Sequence, residues 1–438
     1  MLSRILRQKL TPVARHLPSL LKTKIKEQLP ADFGRDGYFH VMSPFRTFAE
    51  HEEAPRVTLI LPSVHKDHLT GGPATLVNYM LEIKQRFPNV QLRLLPVMVP
   101  FTGGQKDLPS KLSEFEILRG ETTPAGHSIL GDAAHKANAI PIRRNEVFIA
   151  SMWPTFFVAE ALREQQLAAF ETAQPVQYII QDYEPLALFP WSDFYLLARH
   201  TYDSETPTIA LVATDALSKY VKQEKHKFLA HYSFDPNANA TPVDPEDFLD
   251  KEDTILVYAR PDTPRNCFNI IFETLLKVTA DHPQIAERFR FVSVGENHPS
   301  YKLNNGAKLE SLGFMPPKVY KQEILKAAIG MFFVVSPHTG YVALELARGG
   351  ALSISNSFET KDVSLLHPNV RVPEDMTVPG VADTLVEAVR EYWRNPNGGH
   401  DTARATHKNQ NNNQVNFPFL EEMFQKHHSK EFVEGHKS

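Results

Sequence analysis

Apolar residues recur along this chain in two alternating periods. RVTLILPSV (56–64) is a β-branched, apolar run closing on Pro-Ser, the pattern of a strand. GGPATLVNYMLEIKQRF (71–87) follows it with Leu76, Met80, Ile83 and Phe87 at helical spacing. VQLRLLPVMV (90–99) reads as a second strand, and EVFIASM (146–152) with PTFFVAEALREQQLAAF (154–170) as a further strand and helix. VQYIIQDYEP (176–185) and TIALVAT (208–214) add two strands, the latter followed by a helix from Asp215. Strands alternating with helices predict an open parallel sheet.

The alternation then breaks. HYSFDPNANATPVDPEDFLDKED (231–253) is polar, rich in Pro, Asn and Asp and without a period, and marks an interdomain linker over 236–253. It restarts with a strand in TILVYARP (254–261), a helix in NCFNIIFETLLKVTA (266–280) and a strand in RFRFVSVG (288–295). PKVYKQEILKAA (317–328) is a helix, IGMFFVVS (329–336) a strand, YVALELARG (341–349) a helix and ALSISN (351–356) a strand. VADTLVEAVREYWRN (381–395) is a long helix. NGGHDTARATHKNQNNNQVNF (397–417) is poor in apolar residues and predicts a loose segment, and FLEEMFQKHH (419–428) a short amphipathic helix. The expected class is α/β, two doubly wound parallel-sheet domains facing a cleft. The expected division is a basic segment over 1–50, a first domain over 51–235, the linker, a second domain over 254–395 and a polar tail over 396–438.

Composition narrows the function classes. The length of 438 residues exceeds one ordinary core, and 42% apolar with 22% charged residues is ordinary for a globular protein. A formal net charge of -4 gives no general bias toward nucleic acid, and none is expected as a partner. Cys267 is the single cysteine, which excludes an internal disulfide framework and fits a reducing cytosol. Residues 1–26 carry seven Lys or Arg among leucines and isoleucines, with no acid before Glu27. Two readings stand for them: an interfacial segment on the inner face of an anionic membrane, or a terminal helix pair packed on the body.

Ligands of open parallel sheets bind beyond the carboxyl ends of the strands, and three such ends in the second domain carry chemistry. YARPDTPRN places Arg260, Arg265 and Asn266 before a helix, where two guanidiniums and the helix start together suit an anion. SPHTGYVALE (336–345) leaves a strand for a helix starting near Tyr341, so His338, Thr339, Gly340 and Tyr341 present free backbone N–H groups to a phosphate. Gly340 permits close approach, and Glu345, one turn in, can accept hydrogen bonds from sugar hydroxyls. Asn356, after the next strand, is a weaker cleft candidate. In the first domain Gly71-Gly72 opens a helix, and QDYEPLALFPW (181–191) sets Asp182 and Glu184 at a strand end in an ordered loop, facing the cleft or capping the next segment. The chain lacks His-Glu-x-x-His, Cys-x-x-Cys, Walker, Gly-x-Ser-x-Gly, Gly-x-Gly-x-x-Gly and Asp-x-Asp patterns.

QDYEP, YARPDTPRN, LGFMPPKVYKQEILKAA, VSPHTGYVALELARGGALSISN and the downstream KDV, in this order, resemble the GT-B glycosyltransferases of family four. The likeness is greater to the bacterial rhamnosyltransferases typified by WsaF. The resemblance implies a retaining transfer of L-rhamnose from a dTDP donor, without a metal or other cofactor, onto a surface polysaccharide or lipid-linked glycan. It implies two Rossmann-like domains, the donor lying mainly on the second and the acceptor on the first. It assigns Arg260 and Arg265 to the donor diphosphate, Gly340 and Tyr341 to the backbone that meets it, Glu345 to the nucleotide sugar ring and Gly71-Gly72 to the loop near the donor phosphate. Asp182 and Glu184 fall where the first-domain loop approaches the transferred sugar. Two positions depart from the wider family: Pro337 stands where many members have a further Glu, as in the rhamnosyl subgroup, and Arg265 where many have Lys. A different nucleotide-sugar hexosyltransferase, an epimerase or a non-catalytic nucleotide-sugar-binding subunit are the alternatives.

Overall fold

The computed structural model describes residues 36–69, 71–120, 126–187, 192–236, 249–407 and 417–433. The basic segment 1–26 and most of the expected linker lie outside these residues. Among the described residues no helix is long and apolar enough to cross a membrane.

The strands of the first unit are β1 (Thr47–Ala49), β2 (Arg56–Leu61), β3 (Gln91–Pro96), β4 (Glu116–Leu118), β5 (Ser128–Leu130), β6 (Ile140–Ile142), β7 (Glu146–Ala150), β8 (Val176–Ile180), β9 (Thr208–Ala213) and β10 (Ala230–Phe234). β1 pairs with β6, and the others form one parallel sheet in the order β10-β9-β8-β7-β2-β3-β5-β4. The second unit holds β11 (Glu252–Ala259), β12 (Arg290–Gly295), β13 (Tyr301–Lys302), β14 (Lys308–Gly313), β15 (Ala327–Met331), β16 (Leu352–Ile354) and β17 (Val370–Arg371). Their order is β13-β14-β12-β11-β15-β16-β17, parallel except for β13 on β14. The central strands are buried along their length because helices cover both faces, and they therefore read as continuous apolar runs. In each sheet the chain reverses its direction of travel beside one strand, β2 in the first and β11 in the second. Such a switch point leaves a crevice at the carboxyl ends of the strands.

At the amino ends of the first sheet lies a fully buried charge cluster. Arg56 pairs with Glu50 and Glu146 at 2.7 Å each, Arg93 with Glu146 at 2.6 Å and Arg143 with Glu50 at 2.8 Å. Burial and the neighbouring Arg56 guanidinium bring the Arg93 pKa down to about 9. Each charge has a partner, and that pairing makes the desolvation tolerable.

Three expectations are corrected, and one element finds a place the sequence left open. Residues 231–234 of the polar stretch form edge strand β10, paired on β9. The loop after β8 is not without helix, since Glu184–Ala187 forms one turn and Asp193–Asp203 a full helix. Within 397–417, Gly398–His407 is helical, with His400 packed against Gly350. The terminal helix Leu420–His427 follows the second unit in the chain. It crosses back to the first, where Phe417, Phe419, Leu420, Met423, Phe424 and Phe432 join the core of Val57, Leu59, Tyr79 and Phe87. Its apolar face was legible in the sequence, but the surface that covers it was not.

Phe424 is fully buried, 4.8 Å from the Phe87 ring between centroids. Phe424→Ala is therefore expected to lower the unfolding free energy by about 3–5 kcal/mol. Urea denaturation measures it, and a loss below about 1 kcal/mol means that the terminal helix is not part of the first unit's core.

Candidate active site

Segments following β2, β8 and β9 of the first unit and β11 and β15 of the second wall a cleft of about 360 Å³ between the two sheets. Gly71, Gly72, Gln181 and Asp182 form one side, and Tyr258, Arg260, Arg265, Asn266, Ser336, His338, Gly340 and Tyr341 the other. A second cavity of about 430 Å³, lined by Glu50, Glu52, Glu53 and Glu171, lies by the amino ends of the strands. Its acidic wall opposes an anionic ligand.

The cationic side is built by a short turn. After β11 the chain makes one 3-10 turn at Pro264–Asn266, and Cys267, in the left-handed region at φ 53°, starts the helix Phe268–Asp281. Arg260 has no acidic partner among the described residues. Arg265 pairs across the cleft with the Asp182 carboxylate, which also accepts the Ser336 hydroxyl and the Tyr183 N–H. Asp182 thus ties the first unit to both anion-binding segments of the second. The Arg265 Nε is buried without a partner.

The segment after β15 leaves its ladder early. Asn356 holds Val334 on both sides, accepting its N–H at 2.8 Å and donating to its carbonyl at 3.1 Å. Arg265 accepts the Val335 N–H at 2.8 Å, and Asn266 donates to the Phe333 carbonyl at 3.1 Å. Beneath them Lys361 is buried, donating to the Val334 carbonyl at 2.7 Å, and burial lowers its pKa to about 7. Gly340 then starts the helix Tyr341–Arg348 at φ 71°. A Cβ there would meet the Phe332 ring at 2.5 Å. Glycine is required there by the turn and by Phe332, and the position lines the cleft. Gly71 differs: at φ 56° a Cβ would meet nothing within 4 Å, so its backbone stands open to the cleft.

His338 Nδ1 accepts the Gly340 N–H at 3.0 Å, which leaves Nε2 as the protonated nitrogen. Burial lowers the His338 pKa and keeps the ring neutral. Glu345 is exposed, and its Oε2 accepts the Tyr320 hydroxyl at 3.1 Å.

Of the expected site residues, Gly71, Gly72, Asp182, Arg260, Arg265, Asn266, His338, Gly340 and Tyr341 line the one cavity. Three do not. Thr339 is buried behind the turn, and Glu345 stands one helical turn beyond the wall. Glu184 faces inward, buried, accepting the Trp153 N–H at 2.7 Å and the Tyr178 hydroxyl at 2.9 Å. It satisfies the start of the helix Trp153–Phe170 instead of meeting a ligand, which corrects its assignment to the cleft. Gln181, Tyr258 and Ser336 also line the cavity; each stands in a motif quoted above, but none was assigned a role. Lys361, the first residue of KDV, is buried beneath the cleft segment and does not line it.

The chain matches the family model described as WsaF, N-terminal domain, over residues 56–215, and that described as WsaF, C-terminal domain, over residues 253–386. Among solved structures it is similar to the alpha,alpha-trehalose 6-phosphate synthase of Burkholderia multivorans, at a TM-score of 0.50 and 11% identity over 82% of this chain and 96% of that one. Anabaena HepE, solved with UDP and glucose, gives 0.49 at 11% identity over 81% and 95%. The sucrose-phosphate synthase of Thermosynechococcus elongatus gives 0.48 at 13% identity over 85% and 97%. No curated protein sequence matches significantly.

Burial pushes the Glu184 carboxyl up to about 8 from an ordinary 4.5. Between these values the folded chain keeps a proton that the unfolded chain releases, so stability falls as pH rises from about 4.5 to about 8. Urea denaturation across that range should show this decline, and Glu184→Gln should flatten it. Equal pH slopes in both proteins would contradict the assignment.

Proposed function

Because the chain belongs to the WsaF family of GT-B glycosyltransferases, we propose that it transfers L-rhamnose, with retention, from dTDP-L-rhamnose to a growing surface polysaccharide or lipid-linked glycan. The observation that carries this reading is the facing of Arg260, Arg265 and the Gly340–Tyr341 helix start across one cleft from Gly71-Gly72.

Breaking the sugar–phosphate bond builds negative charge on the departing diphosphate. The His338 and Gly340 N–H groups, expected to be free, are taken by Ser336 Oγ and His338 Nδ1 at 3.0 Å each. Two forked guanidiniums and the first turn of the helix from Tyr341, fixed before the reaction, stabilise that charge without reorganising. Asp182 neutralises Arg265 across the cleft. A bound diphosphate competes for the same guanidinium, and Asp182 is then free toward the transferred sugar. The neutral His338 offers its Nε2 hydrogen to a phosphate oxygen. The acceptor enters from the first unit, and holding it against the anomeric carbon supplies the proximity term. The leaving phosphate can take the acceptor proton itself, so no protein base is required. We also read residues 1–26 as a reversible attachment to an anionic membrane surface, where a lipid-linked acceptor is extended.

Two outcomes test the reading. Turnover of dTDP-L-rhamnose with a glycan acceptor is expected to persist in excess chelator, the arginine pair taking the role a divalent cation plays elsewhere. Loss of turnover that magnesium or manganese restores would overturn this. Arg265→Ala is expected to lower kcat by on the order of 10²-fold, the worth of one charge-stabilising group in a desolvated site. Circular dichroism serves as the folding control, and a wild-type rate in the variant would remove Arg265 from the site.

A further inference from the structure

Lys361 lies between β16 and β17 and is 1% exposed. Two backbone hydrogen bonds between Phe358 and Lys361, at 2.9 and 2.8 Å, close the turn that carries it. Thr360 Oγ1 donates to the Ala216 carbonyl at 2.6 Å and ties that turn to the first unit. Lys361 Nζ donates to the Val334 carbonyl at 2.7 Å and lies 3.5 Å from Asn356 Oδ1. Both acceptors are uncharged, and among the described residues no carboxylate pairs with Lys361.

A buried ammonium without a paired anion is costly. Val334 lines the cleft, so Nζ stands one peptide group behind its wall. Arg260 and Arg265 line the same cleft, and the acid among its lining residues is Asp182, already held by Arg265. Three basic side chains therefore converge on one carboxylate, and a diphosphate supplies the missing anion. The titratable groups that face Lys361 are Asp182 after β8, which favours its charged form, the Cys267 thiol, and the neutral His338 of the turn after β15. Burial outweighs them and brings Lys361 from an ordinary 10.5 down to about 7, so in the free protein near neutral pH a fraction of it is uncharged.

We propose that Lys361 is a positioning residue for the donor diphosphate: from behind the Val334 segment it completes the positive charge of the cleft, taking a proton from solvent as the diphosphate enters. The neutral amine gains that proton at Nζ and becomes an ammonium, and no bond to the ligand forms. Well below pH 7 Lys361 is charged before and after binding, so no proton moves. Above about pH 7 the proton has to be taken up, so affinity falls as pH rises, until the raised pKa of the complex is passed. The inference rests on the nucleotide-sugar reading of the cleft and adds to it a charge behind its wall.

Calorimetry of dTDP binding to the full-length protein, in two buffers of different ionisation enthalpy, counts the protons exchanged. At about pH 8 a phosphate with a second pKa of about 6 is already ionised and contributes none. The wild type should take up roughly 0.5–1 proton per dTDP, and its affinity should fall roughly 3–10-fold between about pH 7 and pH 8. Lys361→Met keeps the length of the side chain without the amine, so the uptake should vanish and the affinity become flat over that range. Lys361→Gln, which retains a donor for the Val334 carbonyl, replaces it if the melting temperature shows that the first variant is unfolded. A Lys361 that only held the segment would weaken binding in the variants with no proton taken up by the wild type. That result overturns the inference, as does uptake that persists in the variants, and in both cases the nucleotide site stands. If dTDP does not bind at millimolar concentration, the site reading falls and this inference with it.

Discussion

The cleft depends on one carboxylate. Two guanidiniums and a helix start set a concentration of positive charge into a crevice between two sheets, and such a crevice needs an anion. In the chain alone that anion is Asp182, held by Arg265 and Ser336 of the second unit and by its own neighbour's N–H. The contact joins the two units across the cleft. It also explains why three consecutive residues do different work. Asp182 spans the gap. The Tyr183 hydroxyl is anchored behind it, accepting from Arg199 at 2.8 Å and meeting His226 Nε2 at 3.2 Å. Glu184 turns inward to satisfy a helix start.

The second constraint is rigidity where the sheet gives out. The β15 ladder ends at Met331, yet the turn that leads into the cleft-side helix begins five residues later at Ser336. Side chains bridge the interval: Asn356 and Lys361 on Val334, Asn266 on Phe333, with the Arg265 carbonyl on Val335. Arg265 and Asn266, which touch the cleft from β11, therefore also fix the segment that touches it from β15. A site that must meet developing charge without moving needs this kind of support.

Much of the fold could be read from the sequence because it rests on local periodicity. The runs 56–64, 208–214 and 254–261 became β2, β9 and β11, and Leu76, Met80 and Ile83 face the core as their spacing required. The strand-to-turn-to-helix passages at Arg260–Asn266 and Ser336–Tyr341 were also legible, since parallel topology sends the ends of such strands toward one face. The edge strands β4 and β10 and the short β5 beside β4 were not, because few residues carry their pattern and their pairing comes from the neighbouring strand.

What only the tertiary structure decided is partnership between residues far apart in the chain. Asp182 and Glu184 are equivalent in sequence, two acids flanking a tyrosine, and backbone direction at the strand end alone sends one to Arg265 and the other to Trp153. Arg56, Arg93 and Arg143 gave no sign of burial, because the carboxylates that neutralise them converge only when β2, β3 and β7 lie side by side. The terminal helix announced an apolar face but not its surface, and Glu345 announced a carboxylate but not Tyr320 against it. A periodic pattern fixes which side of an element avoids water, since that depends on the element's own geometry. Which group meets a given charge or hydroxyl depends on distances that exist only after both sheets have formed.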